Sequence, residues 1–349
     1  EIRQESGEKV YTLVLDVGVN IARQERGMSL ELSNREETLE IELRQAAATE
    51  EYEYVLPVIF HVLYRVPEDD VPVGYLSSCL ERVNELYRDG PVDMNLKFVL
   101  ATHDPNGQLL EEPGVRREFR EGLPMDMFDF VGNKFGDCAW IWDPKEYINV
   151  VIFDSKSILS GCAHFPYLPE CVVLPGVLFS DWYADHLPDA HVHCVAWNRS
   201  HMFSRYELLG VIFDYDVFTL AHEMGHYLGL LHPFVDGKGN FGDYCDDTPD
   251  YCVNGYETFL SELDETFPYS DDNYRKVIQR VALNGRVFIA DNIMDYEFGY
   301  LDRFTLEQRK RVRTVLENAW LLPGPKIEVE PRARSGKKAV KPSVPKPVS

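Results

Sequence analysis

Two histidines four residues apart, a glycine three residues on, and a third histidine three beyond it constrain this chain more than any other feature: His222-Glu223-Met224-Gly225-His226-Tyr227-Leu228-Gly229-Leu230-Leu231-His232. On an α-helix, positions i and i+4 lie one turn apart on the same face, so His222 and His226 can present two imidazoles to one metal ion. Gly229 takes φ > 0 without steric cost, which lets the chain leave the helix sharply and return His232 as a third ligand. Three neutral imidazoles leave a fourth position for water, the arrangement of a catalytic rather than a structural zinc. Glu223 follows the first ligand directly, outside the ligand set but beside that water. Bound zinc would lower the pKa of the water to about 7, and Glu223 would take its proton during attack on a carbonyl and pass it to the leaving amine.

The chain around this motif reads as α/β. Residues 55–64 are a long apolar run dense in β-branched and aromatic side chains, predicting a strand buried on both faces. Leu76, Leu80, Val83 and Leu86 mark a helix over 74–87, residues 95–100 and 147–153 read as further strands, and 215–231 as the helix bearing the motif. Thr305 and Gln308 form a capping box that opens a last helix, with Val312, Val315, Leu316 and Ala319 as its buried stripe. The stretch from 160 to 204, rich in Pro, His and aromatics, reads as a decorated loop region. Domain boundaries are placed at 1–53, a β-rich appendage or pro-segment with extended pieces near Val10, Leu30 and Leu39; at 54–322, the catalytic domain; and at 323–349, a Pro- and Lys-rich tail expected to be disordered.

A net charge of −23 argues against nucleic acid as a partner and favours cationic substrates. No apolar run is long enough for a transmembrane helix. The seven cysteines suit an exported protein, whether secreted, periplasmic or at the cell surface, with two or three disulfides; Cys162 with Cys171 and Cys245 with Cys252 are near enough in sequence to bridge.

The extended histidine motif, followed by Asn292-Ile293-Met294-Asp295-Tyr296, resembles the metzincin clan of zinc metallopeptidases. Asp243-Tyr244-Cys245-Asp246-Asp247-Thr248-Pro249, the Met-Asp-Tyr turn and Phe304-Thr305-x-x-Gln308 make it most similar to the pappalysin family over residues 54–320. The resemblance implies a mixed twisted sheet, an active-site helix, a C-terminal helix and a cleft between upper and lower subdomains. The implied activity is zinc-dependent endopeptidase cleavage of protein or peptide substrates. Met294 would lie as a hydrophobic floor beneath the metal, and Tyr296 would donate a hydrogen bond to the tetrahedral oxyanion. Asp243, Asp246, Asp247 and Asp250 would provide a calcium site. Residues 161–166 resemble the upper-rim edge strand that pairs with substrate, with His164 as a rim residue and the pair His191 and His193 outside the metal site. Glu297 would contribute to a pocket favouring a basic residue after the cleaved bond. A weaker similarity to bacterial metalloproteinase lipoproteins implies a lipid anchor upstream of Glu1, although no lipid-anchoring cysteine lies in this chain. Two alternatives stand beside active peptidase: a metzincin-fold binding protein, which intact Glu223 disfavours, and a latent form blocked by a carboxylate such as Asp16.

Overall fold

The computed structural model describes residues 52–203, 215–237, 242–261, 270–296 and 298–326, together with the backbone of short strands at 2–5, 8–11, 26–33, 38–45, 206–208 and 211–213. The chain divides into two units, residues 1–52 and 53–349. In the first, Ile2–Glu5 pairs antiparallel with Glu8–Tyr11, and Arg26–Ser33 with Thr38–Gln45. Asp16 lies outside the described residues.

The second unit is organised by β1 (Tyr54–Tyr64), the strand foreseen from its apolar run. Eleven residues are enough for one edge of β1 to carry two partners in succession. Residues 54–58 pair in parallel with β2 (Leu96–Leu100), and residues 60–64 with β3 (Val115–Phe119). On its other edge β1 pairs in parallel with β4 (Ile148–Phe153), which pairs with a further strand formed by Val195–Asn198. That strand is followed at the sheet's end by Gly161–Ala163, the antiparallel member of the sheet. In chain order Gly161–Ala163 is β5 and Val195–Asn198 is β6.

The loop expected over 160–204 therefore contains two strands of the main sheet. Each has only three or four residues, too few to show a period, and the intervening Pro, His and aromatic residues hide them. The strand β3 was also missed. Its sequence, Val-Arg-Arg-Glu-Phe, is mostly charged, and its place is set by pairing with β1 instead of by burial.

One face of the sheet packs Leu56, Val58, Phe60, Val62, Val150, Ile152 and Trp197 against three helices: α1 (Val73–Arg88), α2 (Tyr215–Tyr227) and α3 (Leu306–Asn318). Helix α1 buries Leu76, Leu80, Val83 and Tyr87 at helical spacing. Helix α2 is buried on every side from Leu220 onward, which suits a helix whose polar residues face a shared internal point and not water. Helix α3 opens on the foreseen box: Thr305 Oγ1 accepts from Gln308 N–H while Gln308 Oε1 accepts from Thr305 N–H. The opposite face covers Leu63, Val151, Phe153 and Ala196 with Met127, Phe130 and Val131.

Two expectations change here. Pro323–Lys326 do not belong to a free tail, because Tyr54 Oη donates to the Pro325 carbonyl and Lys326 Nζ to the Leu316 carbonyl; residues 327–349 lie outside the described residues. All seven cysteines are free, so neither short-range disulfide forms. Cys162 and Cys245 are turned into the interior, whereas Cys171 and Cys252 are exposed. Among the described residues no helix is long and apolar enough to cross a membrane.

The sheet also buries a titratable group. His61 on β1 is fully enclosed, bonded through Nε2 to Asn149 Oδ1 at 2.9 Å, and edged by Trp140 and Trp142. Loss of hydration is the main cause that holds its pKa down to about 3; the Asn149 bond opposes this and the Arg116 charge adds to it. The unfolded chain takes up this proton near pH 6.5 and the folded chain does not. Stability from neutral His61 is therefore complete above pH 6.5 and lost as pH falls towards 3. Urea denaturation at about pH 4.5 should show a loss of roughly 2–3 kcal/mol attributable to this one imidazole. The His61→Gln variant should be measurably less acid-sensitive than the parent, and an identical pH slope in the two proteins would remove the assignment.

Candidate metal centre

The three histidines of the motif meet at one point. His222 Nε2 lies 3.1 Å from His232 Nε2, and His226 Nε2 lies 3.0 Å from the same atom. Each of the two helical rings has its other nitrogen committed to a backbone carbonyl: His222 Nδ1 to Ile293 at 2.9 Å and His226 Nδ1 to Leu230 at 2.8 Å. A ring that donates from Nδ1 carries its lone pair on Nε2, so the bare nitrogens face one another. Facing lone pairs repel unless a cation lies between them. A tetrahedral ion with N–metal distances of ~2.0–2.1 Å sets its nitrogens roughly 3.3 Å apart, close to what is seen. Burial is the main cause that pushes the His222 pKa down to about 4, against the Ile293 hydrogen bond, and it also lowers that of His226, helped by the two neighbouring imidazoles. Neutral rings are the form that ligates a metal.

Local structure aims these rings. The helix ends where Leu230 N–H returns to the Gly225 carbonyl and Gly229 N–H to that of His226, with Gly229 at φ +86°. A side chain at Gly229 would meet Val315 of α3 at 2.7 Å, so this glycine meets both a conformational and a packing requirement. Phe234 stacks on His232, with the ring planes 9° apart and the centres 4.6 Å apart. Met294 is fully buried, its Sδ so close to Gly225 that a Cβ there would fall 2.3 Å from it. Gly225 is thus the gap in α2 that admits the methionine, a role hidden in a motif position that places no demand on residue type.

Glu223 is nearly enclosed, and desolvation raises its pKa well above the ordinary carboxylate value. Its Oε2 has no hydrogen-bond partner. The side chain leans on Gly161, the first residue of β5, where a Cβ would fall 2.7 Å from Glu223 Cγ. The glutamate therefore lies against the terminal strand of the sheet.

The half-buried Tyr296 has its ring centre 4.5 Å from that of His232 and 5.7 Å from that of His222. Its backbone is held by Asp295 of the same turn and by Tyr251 and Arg280, which no motif indicated. Asp295 Oδ1 accepts from Tyr296 N–H at 2.8 Å and from the Tyr251 hydroxyl. Arg280, only 2% exposed, donates to the carbonyls of Val277, Gln279, Tyr296 and Phe298 and stacks on Tyr256 with Cζ 3.3 Å from the ring centre.

Of the four aspartates foreseen for calcium, Asp243, Asp246 and Asp247 sit beside the start of α3. Asp246 N–H donates to Glu307 Oε2 at 2.5 Å, and Glu307 N–H donates to Asp247 Oδ2 at 3.0 Å. Asp243 Oδ1 accepts from Thr248 Oγ1 and Cys245 N–H, and Asp243 Oδ2 from Gln308 Nε2. Cys245, Asp247 and Glu307 bring ligand atoms together, so the sequence reading missed Glu307, which contributes from a helix sixty residues away. Glu297 lies outside the described residues. His164 is not a rim residue: it follows β5 inward and is fully buried beside His191 and His193.

The fold, and a trio of histidines on and just beyond a buried helix that could hold a metal ion, are those of a metzincin-type metallopeptidase. The family model for peptidase M43, described as pregnancy-associated plasma protein-A, matches residues 137–317, just over half the chain, and the chain belongs to that family. An extracellular metalloprotease of Verticillium alfalfae is 27% identical over 241 residues, covering 62% of this chain and 70% of that protein. Mature mirolysin of Tannerella forsythia, solved with a cleaved peptide, superposes with a TM-score of 0.50 and 21% identity, covering 75% of this chain and 91% of its own. Mirolysin in complex with compound 9 gives 0.50 and 20%, covering 76% of this chain and 92% of its own.

Replacing Arg280 with Met would take a donor from the carbonyls of Gln279, Tyr296 and Phe298 and from that of Val277, which keeps only the Tyr256 hydroxyl. Urea unfolding of Arg280→Met is expected to show a loss of about 3 kcal/mol. A loss under about 1 kcal/mol would mean that water replaces the guanidinium and that Arg280 does not hold the Tyr296 turn.

Proposed function

We propose that this metallopeptidase is a zinc-dependent endopeptidase in which Nε2 of His222, His226 and His232 hold the ion and Glu223 is the general base. The observation that carries the reading is the meeting of three ring nitrogens, Nε2 of His222 and of His226 lying 3.1 and 3.0 Å from Nε2 of His232, with the two helical rings locked by carbonyls on their far side. Zinc bound there supplies Lewis acidity, polarising a carbonyl and making hydroxide available near neutral pH. Glu223 accepts the proton of the attacking water and delivers it to the leaving amine, and its unpartnered Oε2 leaves one oxygen free for that traffic. Tyr296 donates to the oxyanion that develops on the former carbonyl, and Arg280, Asp295 and Tyr251 keep its backbone in place.

Substrate binds as an extended peptide against β5. This strand ends the sheet, and no other strand pairs with its outer edge among the described residues. Backbone hydrogen bonds along such an edge hold a peptide with little demand on its sequence. Contact between Gly161 and Glu223 brings that edge to the base. Calcium binding at the Asp243–Asp247 loop and Glu307 belongs to the same proposal, supported by the carboxylates of Asp247 and Glu307, which meet there beside the Cys245 thiol.

The test compares wild type with Glu223→Ala on a quenched-fluorescent peptide pool, with zinc measured in both. Activity should fall by at least about a thousandfold while zinc stays near one per chain at this site. Comparable turnover by a zinc-loaded Glu223→Ala protein would remove Glu223 as the base. For calcium, calorimetric titration should show binding that Asp246→Asn with Asp247→Asn weakens at least about tenfold, and no difference between the two proteins would take this loop out of the proposal.

A further inference from the structure

A second cluster of three histidines lies apart from the first. His164, just after β5, and His191 and His193, just before β6, are each completely buried. Their ring centres stand 4.4, 5.8 and 5.9 Å apart, against 4.5, 4.6 and 5.1 Å for the motif histidines. Tyr167, Tyr183 and Tyr227, the last residue of α2, pack around them.

Five of the six ring nitrogens in this cluster have no hydrogen-bond partner: His164 Nδ1 and both nitrogens of His191 and of His193. The Leu321 carbonyl lies near His193 but makes no bond of ordinary geometry. The sixth nitrogen, His164 Nε2, meets the Val131 carbonyl at 3.3 Å. Each buried polar atom left unpaired costs about 1–3 kcal/mol, so three such side chains gathered in one interior favour an occupant that all three can bind. Burial keeps all three rings neutral, lowering His164 to about 3 and His191 to about 4, so each has a lone pair to give.

We propose that His164, His191 and His193 form a second metal site, a structural one, for a d-block cation of the class that prefers imidazole: zinc, copper or nickel. His164 ligates through Nδ1 while its Nε2–H donates to Val131, the backing that metal-bound imidazoles generally have. The Asp189 carboxylate, whose charge favours a cation at His191, offsets part of the ion's charge. As the rings stand, their nitrogens are too far apart to share one ion, unlike those of the motif trio, so binding requires the rings to turn about χ2, a broad torsion for histidine. Because His164 continues from β5 and Tyr227 ends α2, the ion would tie the terminal strand to the helix that bears the motif.

The untagged chain is expressed with zinc supplied, dialysed against a weak chelator and analysed by elemental mass spectrometry. Wild type should hold about two zinc ions and His222→Ala with His226→Ala about one, with X-ray absorption of the latter showing nitrogen ligands from imidazole. In the otherwise intact chain, His191→Asn with His193→Asn should lower the content from about two to about one while peptide cleavage persists. One zinc in wild type and none after loss of the motif histidines would overturn the proposal. So would a residual ion that survives all four substitutions, since it would lie elsewhere, for example at Cys245, Asp247 and Glu307.

Discussion

Three imidazole nitrogens gathered at one point, two of them 3.0 and 3.1 Å from the third, are the constraint around which the second unit is built. Left alone, that arrangement is electrostatically unfavourable and strips three polar groups of water. Its surroundings accept the cost because every support comes from a different part of the chain. Ile293 provides one carbonyl from the methionine turn, Leu230 another from the helix exit, and Phe234 a stacking surface from beyond the third histidine. Metal affinity and folding are coupled in such a site, since no unfolded chain brings these groups together.

A single glutamine joins the pieces. Gln308 completes the cap of α3 through Thr305, exchanges two hydrogen bonds with Asn292 at the methionine turn and reaches Asp243 in the acidic loop. Asn292 in turn accepts from Met294 N–H, fixing the residue that fills the gap at Gly225. The three short patterns that resemble the family, around Asp243, Met294 and Thr305, are thus one buried network. Each residue satisfies the polar groups of the others, which is how a polar cluster can rigidify a core without leaving orphaned atoms.

What was legible followed from local rules. The helix-spaced histidines, the positive φ of Gly229, the capping box at Thr305 and the doubly buried strand β1 all express periods or conformations confined to a few neighbouring residues. What was not legible depends on distant partners. Strands β5 and β6 are too short for a period, and Arg280 bears no motif because its partners are carbonyls, which every residue possesses. His164 looked like a rim residue, yet the chain turns it inward beside His191 and His193. The cysteine spacing suggested bridges, but burial separates Cys162 from Cys171 and Cys245 from Cys252.

By itself the sequence determined which three histidines come together, the identity of the adjacent carboxylate and the course of the helix that carries them, because residues one helical turn apart need no tertiary partner to share a face. Only the tertiary structure decided where Glu223 rests, which loop underlies the three histidines and which polar groups are enclosed. Those depend on contacts such as Gly161 with Glu223 and Met294 with Gly225, between segments some sixty to seventy residues apart. Contacts of that separation leave no period in the sequence, since they are set by how the sheet and helices pack.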